Sequence, residues 1–530
     1  MNSQFWQKEG AKDVLIILGC ALLNVLLTLF LYPKFAHIGT DGVFYALMAK
    51  SLALGQGLTV FHQPHVFFSP GLSFVIVPVY FIIGNIELAA QVTMLALSIL
   101  TLPFFYYAMR FFVERHIASI ATLFLAVNAT VIWRNVHPIA QPLAAFLSVV
   151  LFFCLTKYIT CDKGGRKVFA LAFLLGLVTG ALYLARPEYI VLIVPLTIFL
   201  FWNNRKTVAL PRNLAIISLT IVGFALCVMP YVAYLHTHTG QWTFTGRLSQ
   251  QIEIAKGLIE INQVSSAWDS PDIPDNSIWS FLQSIFAPKF AKIYFSHLYD
   301  IEWFLLRIFG IIGFAFFGIG LWKVIAEKRF VILQILAVPT AMLFAFAMGF
   351  NGDFGYLEPY LFIFISLIAI GCASFISTLT ISLPSVSWRR LLLSGGIIAL
   401  SAGYFAFPVF QNFLFRPDDT GKPIEYQLLG QYVRDSVESS EEQLLVARKP
   451  EIAFYAGADW VGISGLETPE QLLDIMKAKN ARYLAIDTRS MGEAAAVFFD
   501  TEEKHLLGGL EFIQEFTYGS ERVRLYRLGE

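Results

Sequence analysis

The sequence has few charged residues for its length. Only 14% of its 530 residues are Asp, Glu, Lys or Arg, and 57% are hydrophobic, whereas soluble domains carry about 25% charged residues. This composition excludes an ordinary water-soluble protein. The chain also lacks a charge excess, because 38 Lys and Arg balance 38 Asp and Glu. With no basic stripe interleaved with aromatic residues, nothing indicates a nucleic-acid partner.

Cysteines are scarce, and none forms a CxxC pair. The sequence therefore has neither a disulfide framework nor zinc-ligand spacing. The 158 positions after Cys372 contain no cysteine. This fits an extracytoplasmic location for the tail of the chain, because free thiols would be oxidised there. The five cysteines are Cys20, Cys154, Cys161, Cys227 and Cys372.

Long apolar runs are present instead, up to about residue 410. A membrane-spanning helix needs ~20 mostly apolar residues, and about eleven runs meet this criterion. The pattern predicts a polytopic α-helical membrane protein. The runs are centred near 14–32, 88–109, 116–133, 139–158, 168–185, 189–202, 214–235, 302–322, 329–349, 356–378 and 391–410.

Lysine and arginine recur in alternate short loops between these runs. Because cytoplasmic loops are enriched in Lys and Arg, we expect a cytoplasmic N-terminus. The opposite side then receives the loops 33–87 and 236–300, the turn 351–355 and the tail 411–530. The basic residues are Lys8, Lys12, Arg110, Arg115, Lys163, Arg166, Lys167, Arg205, Lys206, Arg212, Lys323, Lys328, Arg329, Arg389 and Arg390.

The chain after residue 410 has ordinary soluble patterning. It predicts an amphipathic helix at 425–437, strands at 443–448 and 481–487, and a hairpin turning at Gly519 and Ser520. A further helix at 468–480 would be capped by Thr468 and end near Asn480. We therefore divide the chain into a transmembrane domain, 1–410, and a small extracytoplasmic α/β domain, 411–530.

The first outward loop contains a candidate catalytic carboxylate. Residues 42–54 form an apolar segment too short to span, which suits an interfacial helix, and Pro70 opens a second short helix. Asp41 begins the first of these and is the only carboxylate between the first span and Glu87. It can serve as an N-cap, and an ionised carboxylate at a helix N-terminus can also act as a general base.

Three stretches resemble GT-C glycosyltransferases. They are DGVFYALMAKSLALGQGL (41–58) followed by SPGLSFVIVPVYFIIG (69–84), LARPEYIVLIVP (184–195), and VARKPEIAFYAGADWVG (446–462) with NARYLAID (480–487). The similarity is to bacterial relatives of protein O-mannosyltransferase and aminoarabinose (lipid A) transferase. It implies a membrane glycosyltransferase in the bacterial inner membrane, with the catalytic motif in the loop 33–87.

The resemblance also implies a reaction and a donor. A polyprenyl-phosphate-linked sugar would be transferred with inversion to a hydroxyl or amine of a lipid, glycan or protein acceptor, with Asp41 as the general base. The leaving phosphate needs cationic stabilisation. Candidates on the outward side are Arg186, beside its structural partner Glu188, and Arg134, His137, Arg247, His62 and His65.

A metal site is a weaker hypothesis. The sequence requires no cofactor, but His62 and His65 form an HxxH that could bind a divalent metal together with Asp41. The chain also departs from the family pattern in two places. Gln141 stands where relatives often have Glu, and Gly355 stands before Tyr356 where they often have Arg.

Other function classes compete with glycosyl transfer. A transporter or flippase of lipid-linked sugars would place charges and broken helices near the midplane, often in repeated halves. No internal repeat is visible, and the polar motifs cluster on one side. An oligosaccharide polymerase would also need large outward loops, and Gln141 is consistent with a non-catalytic relative. The sequence does not specify the sugar or the acceptor.

Overall fold

The computed structural model describes residues 3–246, 288–327, 359–381, 388–415, 421–436, 444–463, 468–491, 496–499 and 509–529. The helices of the apolar part are α1 Ser3–Phe35, α2 Thr40–Ala53, α3 Gly71–Ile83, α4 Ile86–Arg110, α5 Arg115–Val127, α6 Ala129–Arg134, α7 Ala140–Thr160, α8 Lys167–Ala185, α9 Ile193–Asn204, α10 Leu210–Thr239, α11 Pro288–Ala326, α12 Leu361–Leu379 and α13 Trp388–Phe415. A 3₁₀ helix, Pro187–Leu192, precedes α9, and the strands β1 Thr59–Val60 and β2 Gln63–Pro64 lie between α2 and α3.

Nine helices in the described part of the chain are long and apolar enough to cross a membrane. They coincide with nine of the predicted runs, so the polytopic helical fold is confirmed. The run 329–349 lies outside the described residues.

The run predicted at 116–133 is not one continuous helix. It is divided into α5 and α6 at Asn128, whose backbone is extended (φ −60°, ψ 124°) and whose side-chain oxygen accepts hydrogen bonds from Thr130 N and Val131 N. An Asn side chain that caps a new helix competes with continuation of the old one. The apolar composition of the run conceals this break.

Basic loops predicted to share one side lie together at one end of the bundle. The Arg115 guanidinium contacts the Asp13 carboxylate near the start of α1 at 2.7 Å. Arg212 donates to the carbonyl oxygens of Gly164 and Gly165 in the preceding basic loop. The first-loop helices and the C-terminal domain occupy the other end, where Tyr455 donates to Glu87.

The C-terminal part folds as a small α/β domain. Its elements are α14 Ile424–Ser436, β3 Leu444–Ala447, α15 Pro450–Ala456, β4 Asp459–Gly462, α16 Pro469–Lys479, β5 Tyr483–Asp487, α17 Thr488–Met491, α18 Ala496–Phe499, β6 Leu510–Tyr518 and β7 Glu521–Leu528. The sheet order is β4-β3-β5-β7-β6, in which β3 is parallel to β4 and β5, and β7 is antiparallel to β5 and β6.

Local signals predicted most of this domain correctly. Thr468 and Gln471 form a reciprocal capping box at the start of α16, and Asn480 ends the helix in the left-handed region. Gly519, with φ of 62°, turns the β6–β7 hairpin. No local signal predicted α15 and β4, which lie within KPEIAFYAGADWVG (449–462), because both are short and lack a clear period.

Candidate functional site

The N-terminus of α2 places Asp41 in the first turn of a largely buried helix. The helix begins at Thr40, and the extended backbone of Gly39 forms the N-cap without any side-chain hydrogen bond. Asp41 is therefore not the cap. Its carboxylate is half-buried, and within the described ranges it has no hydrogen-bond or ion-pair partner. A half-buried carboxylate without such a partner is available to accept a proton.

Gly42 brings the start of α2 against the chain just before α7. A Cβ at Gly42 would lie 2.9 Å from the carbonyl oxygen of Pro138 and 3.0 Å from the Ile38 side chain. A backbone carbonyl cannot yield as a flexible side chain does. The small residue after Asp41 therefore allows the candidate base to approach the segment that carries His137 and Gln141.

We expect Gly42→Ala to reduce activity without removing any functional group. The added methyl would move α2 away from Pro138 by a few tenths of an ångström and shift Asp41. Even a small misplacement of a reacting group lowers the rate of the reaction. The expected loss is about 10-fold in kcat, with donor affinity retained, measured with the purified variant. Gly39→Ala is a matched control, because a Cβ there meets nothing within 4 Å. Equal activity of the two variants would contradict the prediction.

Two histidines pair beside this segment. The rings of His37 and His137 meet edge to face with centroids 4.8 Å apart. Each Nδ1 lies within hydrogen-bond distance of a backbone carbonyl, that of Phe35 for His37 and that of Trp133 for His137. Burial lowers the pKa of His137 to about 4, and it also lowers the pKa of His37. At neutral pH, His137 is therefore a neutral hydrogen-bonding group rather than a cation.

Arg134 lies at the end of α6 and lines a cavity of about 50 Å³ between α4, α6, α7 and the start of α12. Gln141, in the first turn of α7, lines the same cavity, as does Asn135. A guanidinium beside two amide side chains can bind anionic or hydroxyl oxygens. The sequence prediction named Arg134 and Gln141 separately, and the structure brings them together.

Arg186 is the last residue before the 3₁₀ helix and forms an ion pair with Glu188. Arg186 Nε and Glu188 Oε1 are 2.5 Å apart, and the two side chains are 11% and 17% exposed. The adjoining backbone is closely packed, because a Cβ at Gly71 would overlap the backbone of Leu184 and Ala185. The start of α3 thus fixes the turn that carries Arg186.

His62 and His65 occupy different surroundings. His62 lies at the β1–β2 turn, where its Nδ1 is 2.9 Å from the Asp459 carboxylate of the C-terminal domain. The His65 ring packs against Phe44 and Phe68, with centroids 5.3 and 5.6 Å away, and its Nε2 accepts the Phe68 amide hydrogen. In the part of the chain that the structure covers, no three His, Cys, Asp or Glu side chains are placed to bind a metal, so Asp41, His62 and His65 do not converge.

Two further sequence predictions cannot be located. Arg247 and the segment 351–358, which includes Gly355 and Tyr356, lie outside the described residues.

The C-terminal domain contributes residues that the sequence analysis did not place at the site. Thr40 Oγ1 donates to Glu451 Oε1 at 2.9 Å, and the Trp460 ring meets Phe44 of α2 at 5.9 Å. A cleft of about 620 Å³ lies farther along α2, between Lys50, the β1–β2 hairpin and the C-terminal domain. The only sequence signal was the motif containing Glu451 and Trp460, which gives no indication of a contact across 411 positions.

Comparison with known proteins identifies the fold. No family profile and no curated protein sequence matches the chain. Among solved structures, the oligosaccharyltransferase AglB of Archaeoglobus fulgidus, in complex with an inhibitory peptide and a dolichol-phosphate, matches with a TM-score of 0.63 and 13% identity, over 97% of this chain and 74% of that one. ArnT of Cupriavidus metallidurans, bound to undecaprenyl phosphate, matches with a TM-score of 0.57 and 13% identity, over 97% of each chain.

These similarities extend over nearly the whole chain, including the first-loop helices and the C-terminal domain. Another structure of the Archaeoglobus fulgidus oligosaccharyltransferase, in complex with Zn and sulfate, matches with a TM-score of 0.58 and 13% identity, over 97% of this chain and 73% of that one. The predicted resemblance is thus confirmed in three dimensions, and the chain has the fold of the GT-C membrane glycosyltransferases.

Proposed function

We propose that this protein is an integral membrane glycosyltransferase that moves a sugar from a polyprenyl-phosphate donor to an acceptor hydroxyl or amine. The position of Asp41 carries the proposal. Its carboxylate lies in the first turn of a buried helix, without a partner among the described residues, in a chain with the GT-C fold. A carboxylate in this position can accept a proton from an acceptor as a general base.

The reaction is a single displacement at the anomeric carbon. The acceptor oxygen or nitrogen forms a bond to that carbon while its proton passes to Asp41. The bond from the anomeric carbon to the phosphate oxygen breaks, and polyprenyl phosphate leaves with the electron pair. Attack opposite the leaving group inverts the anomeric configuration. Because phosphate is a good leaving group, no general acid is required.

Arginine side chains are the candidates for stabilising the phosphate. Arg186 and Arg134 supply guanidinium groups, whose planar fork fits phosphate oxygens. His137 would contact the donor as a neutral hydrogen-bonding group because its pKa is about 4. We propose no role for His65 beyond packing, since its ring packs against Phe44 and Phe68 and its Nε2 accepts the Phe68 amide hydrogen.

The acceptor is proposed to enter through the cleft between the first loop and the C-terminal domain. The cleft combines aromatic rings, including Phe61 and Tyr455, with charged groups such as Lys50 and Arg434. Aromatic rings together with charged groups suit a polar ligand that contains rings.

A divalent metal remains compatible with the proposal, because a similar oligosaccharyltransferase structure contains Zn and sulfate. Among the described residues, no group of three His, Cys, Asp or Glu side chains, around Asp41 or elsewhere, is placed to hold a metal ion. The proposed reaction therefore assigns no step to a metal.

The proposed orientation places the first loop and residues 411–530 outside a bacterial inner membrane, with the N-terminus in the cytoplasm. The support is the set of basic loops gathered at the opposite end of the bundle. A reporter that is active only after export, fused behind residue 530, should be active. A reporter that works only in the cytoplasm should be active when inserted in the loop 203–212. The reverse pattern would contradict the orientation.

The proposed function is tested directly by following the labelled sugar of the donor. Purified protein is incubated with labelled polyprenyl-phosphate sugars and a lipid and envelope extract. We expect label to move from the polyprenyl phosphate to an acceptor of different mobility, with release of polyprenyl phosphate. A transporter would leave the sugar-phosphate bond intact, and this result would overturn the proposal.

A further inference from the structure

The C-terminal domain reaches the start of α2 through a short hydrogen-bonded chain. Thr40 Oγ1, immediately before the candidate base, donates to Glu451 Oε1 at 2.9 Å. Lys449 Nζ, two residues before Glu451, lies 3.5 Å from the same hydroxyl oxygen. The Thr40 hydroxyl is thus held from both sides by residues of the other domain.

Glu451 is placed to hold this contact rigidly. Glu451 lies in the first turn of α15 and is only 6% exposed. Burial raises the pKa of its carboxyl, and the Lys449 ammonium partly opposes that effect. Its second oxygen, Oε2, has no hydrogen-bond partner within the described residues. A buried carboxyl with so few partners depends strongly on the bond from Thr40.

Within the described ranges, no other side-chain hydrogen bond holds the N-terminal turn of α2. Gly39 provides no cap, and on the other side the contact of Gly42 with Pro138 is made by backbone and ring atoms. The first turn of a helix frays readily when its cap is absent. The Thr40 bond therefore fixes the turn from which Asp41 projects.

We propose that Thr40, Glu451 and Lys449 are positioning residues for Asp41, so that the C-terminal domain completes the catalytic unit. The inference rests on the proposed function. Thr40 and Glu451 act only through Asp41, by limiting the orientations of its carboxylate. Loss of the contact should lower turnover while leaving donor binding intact, because misplacement of a catalytic group affects the transition state more than the ground state.

The test compares Thr40→Val with two matched variants. Thr40→Val keeps the branched shape and removes the hydroxyl, whereas Thr40→Ser keeps the hydroxyl. Thr488→Val makes the same change inside the C-terminal domain, where the Thr488 hydroxyl donates to Glu521 Oε2 at 3.0 Å. We expect Thr40→Val to lose roughly 10- to 100-fold in kcat with an unchanged donor KM, and Thr40→Ser and Thr488→Val to remain within about 3-fold of wild type. Equal losses in Thr40→Val and Thr488→Val would mean that the Thr40 bond contributes only to stability, and would overturn the proposal.

A second readout does not depend on activity. Asp41→Cys is introduced into a variant whose five native cysteines are replaced by alanine, and position 41 is labelled with a trifluoromethyl probe. It should give one narrow ¹⁹F resonance, which should broaden or split when Thr40→Val is added but not when Thr488→Val is added. An unchanged resonance with Thr40→Val would overturn the inference even if the protein is a glycosyltransferase. Absence of sugar transfer by the wild-type protein would instead refute the proposed function, and the resonance would still decide whether Thr40 orders position 41.

Discussion

Asp41→Asn is expected to abolish sugar transfer in a protein that still folds, inserts and binds its donor. The amide has the size of the carboxylate but cannot accept a proton at neutral pH. General-base catalysis typically contributes 10²–10⁴-fold in rate, so kcat should fall by at least about 100-fold. Because Asp41 makes no hydrogen bond or ion pair within the described ranges, the substitution should cost little stability. Turnover of labelled donor by purified protein measures the effect.

Two controls separate loss of the base from loss of folding or donor binding. Asp41→Glu should retain only traces of activity, because the extra methylene moves the carboxylate away from its position at the start of α2. Thermal unfolding and donor binding should be nearly the same in wild type, Asp41→Asn and Asp41→Glu. If Asp41→Asn transfers sugar at near-normal rates, Asp41 is not the base, and the transporter interpretation would have to be considered again.

Arg186→Ala is expected to weaken use of the donor by roughly 100-fold in kcat/KM, the scale found when one preorganised group that stabilises developing charge is removed. Arg186 lies in a fixed turn and is only 11% exposed. Arg186→Lys should restore part of the activity, because an ammonium keeps the charge but lacks the bidentate fork. Steady-state kinetics with varied donor concentration provide the measurement.

The ion pair with Glu188 makes a structural explanation of Arg186 testable. Glu188→Gln removes the charge of the partner at 2.5 Å but leaves the guanidinium in place. We expect Glu188→Gln to lower expression or thermal stability while keeping most donor use per folded molecule. If Glu188→Gln and Arg186→Ala lose expression and activity in the same proportion, the pair only holds the turn and Arg186 does not contact phosphate.

In the first loop, the two histidines of the HxxH motif have different surroundings. His62 and His65 have the spacing of metal ligands, but the β1–β2 hairpin separates them. Phe61 and His62 at its tip have positive φ values of 48° and 60°, which is uncommon for residues other than glycine. The turn directs His62 towards Asp459 and leaves His65 among aromatic rings. This strained tip is held by contacts with the C-terminal domain, including Phe61 with Trp460.

The sequence by itself determined the features that depend on local composition. Apolar runs specified the membrane-spanning helices because hydrocarbon accepts only long apolar segments with internally satisfied backbones. Thr468, Asn480 and Gly519 specified the ends of elements in the tail because capping and turn conformations depend on single residues. The motif around Asp41 pointed to the base because it lies within one short continuous stretch.

Only the tertiary structure decided the features that depend on distant partners. Glu451 meets Thr40 across 411 positions, and no period or spacing encodes such a contact. His137 was a candidate cation until burial beside His37 lowered its pKa to about 4. Arg134 and Gln141 acquired a common cavity through helix packing. Charge state and orientation follow from desolvation and close neighbours, and these exist only after the chain has folded.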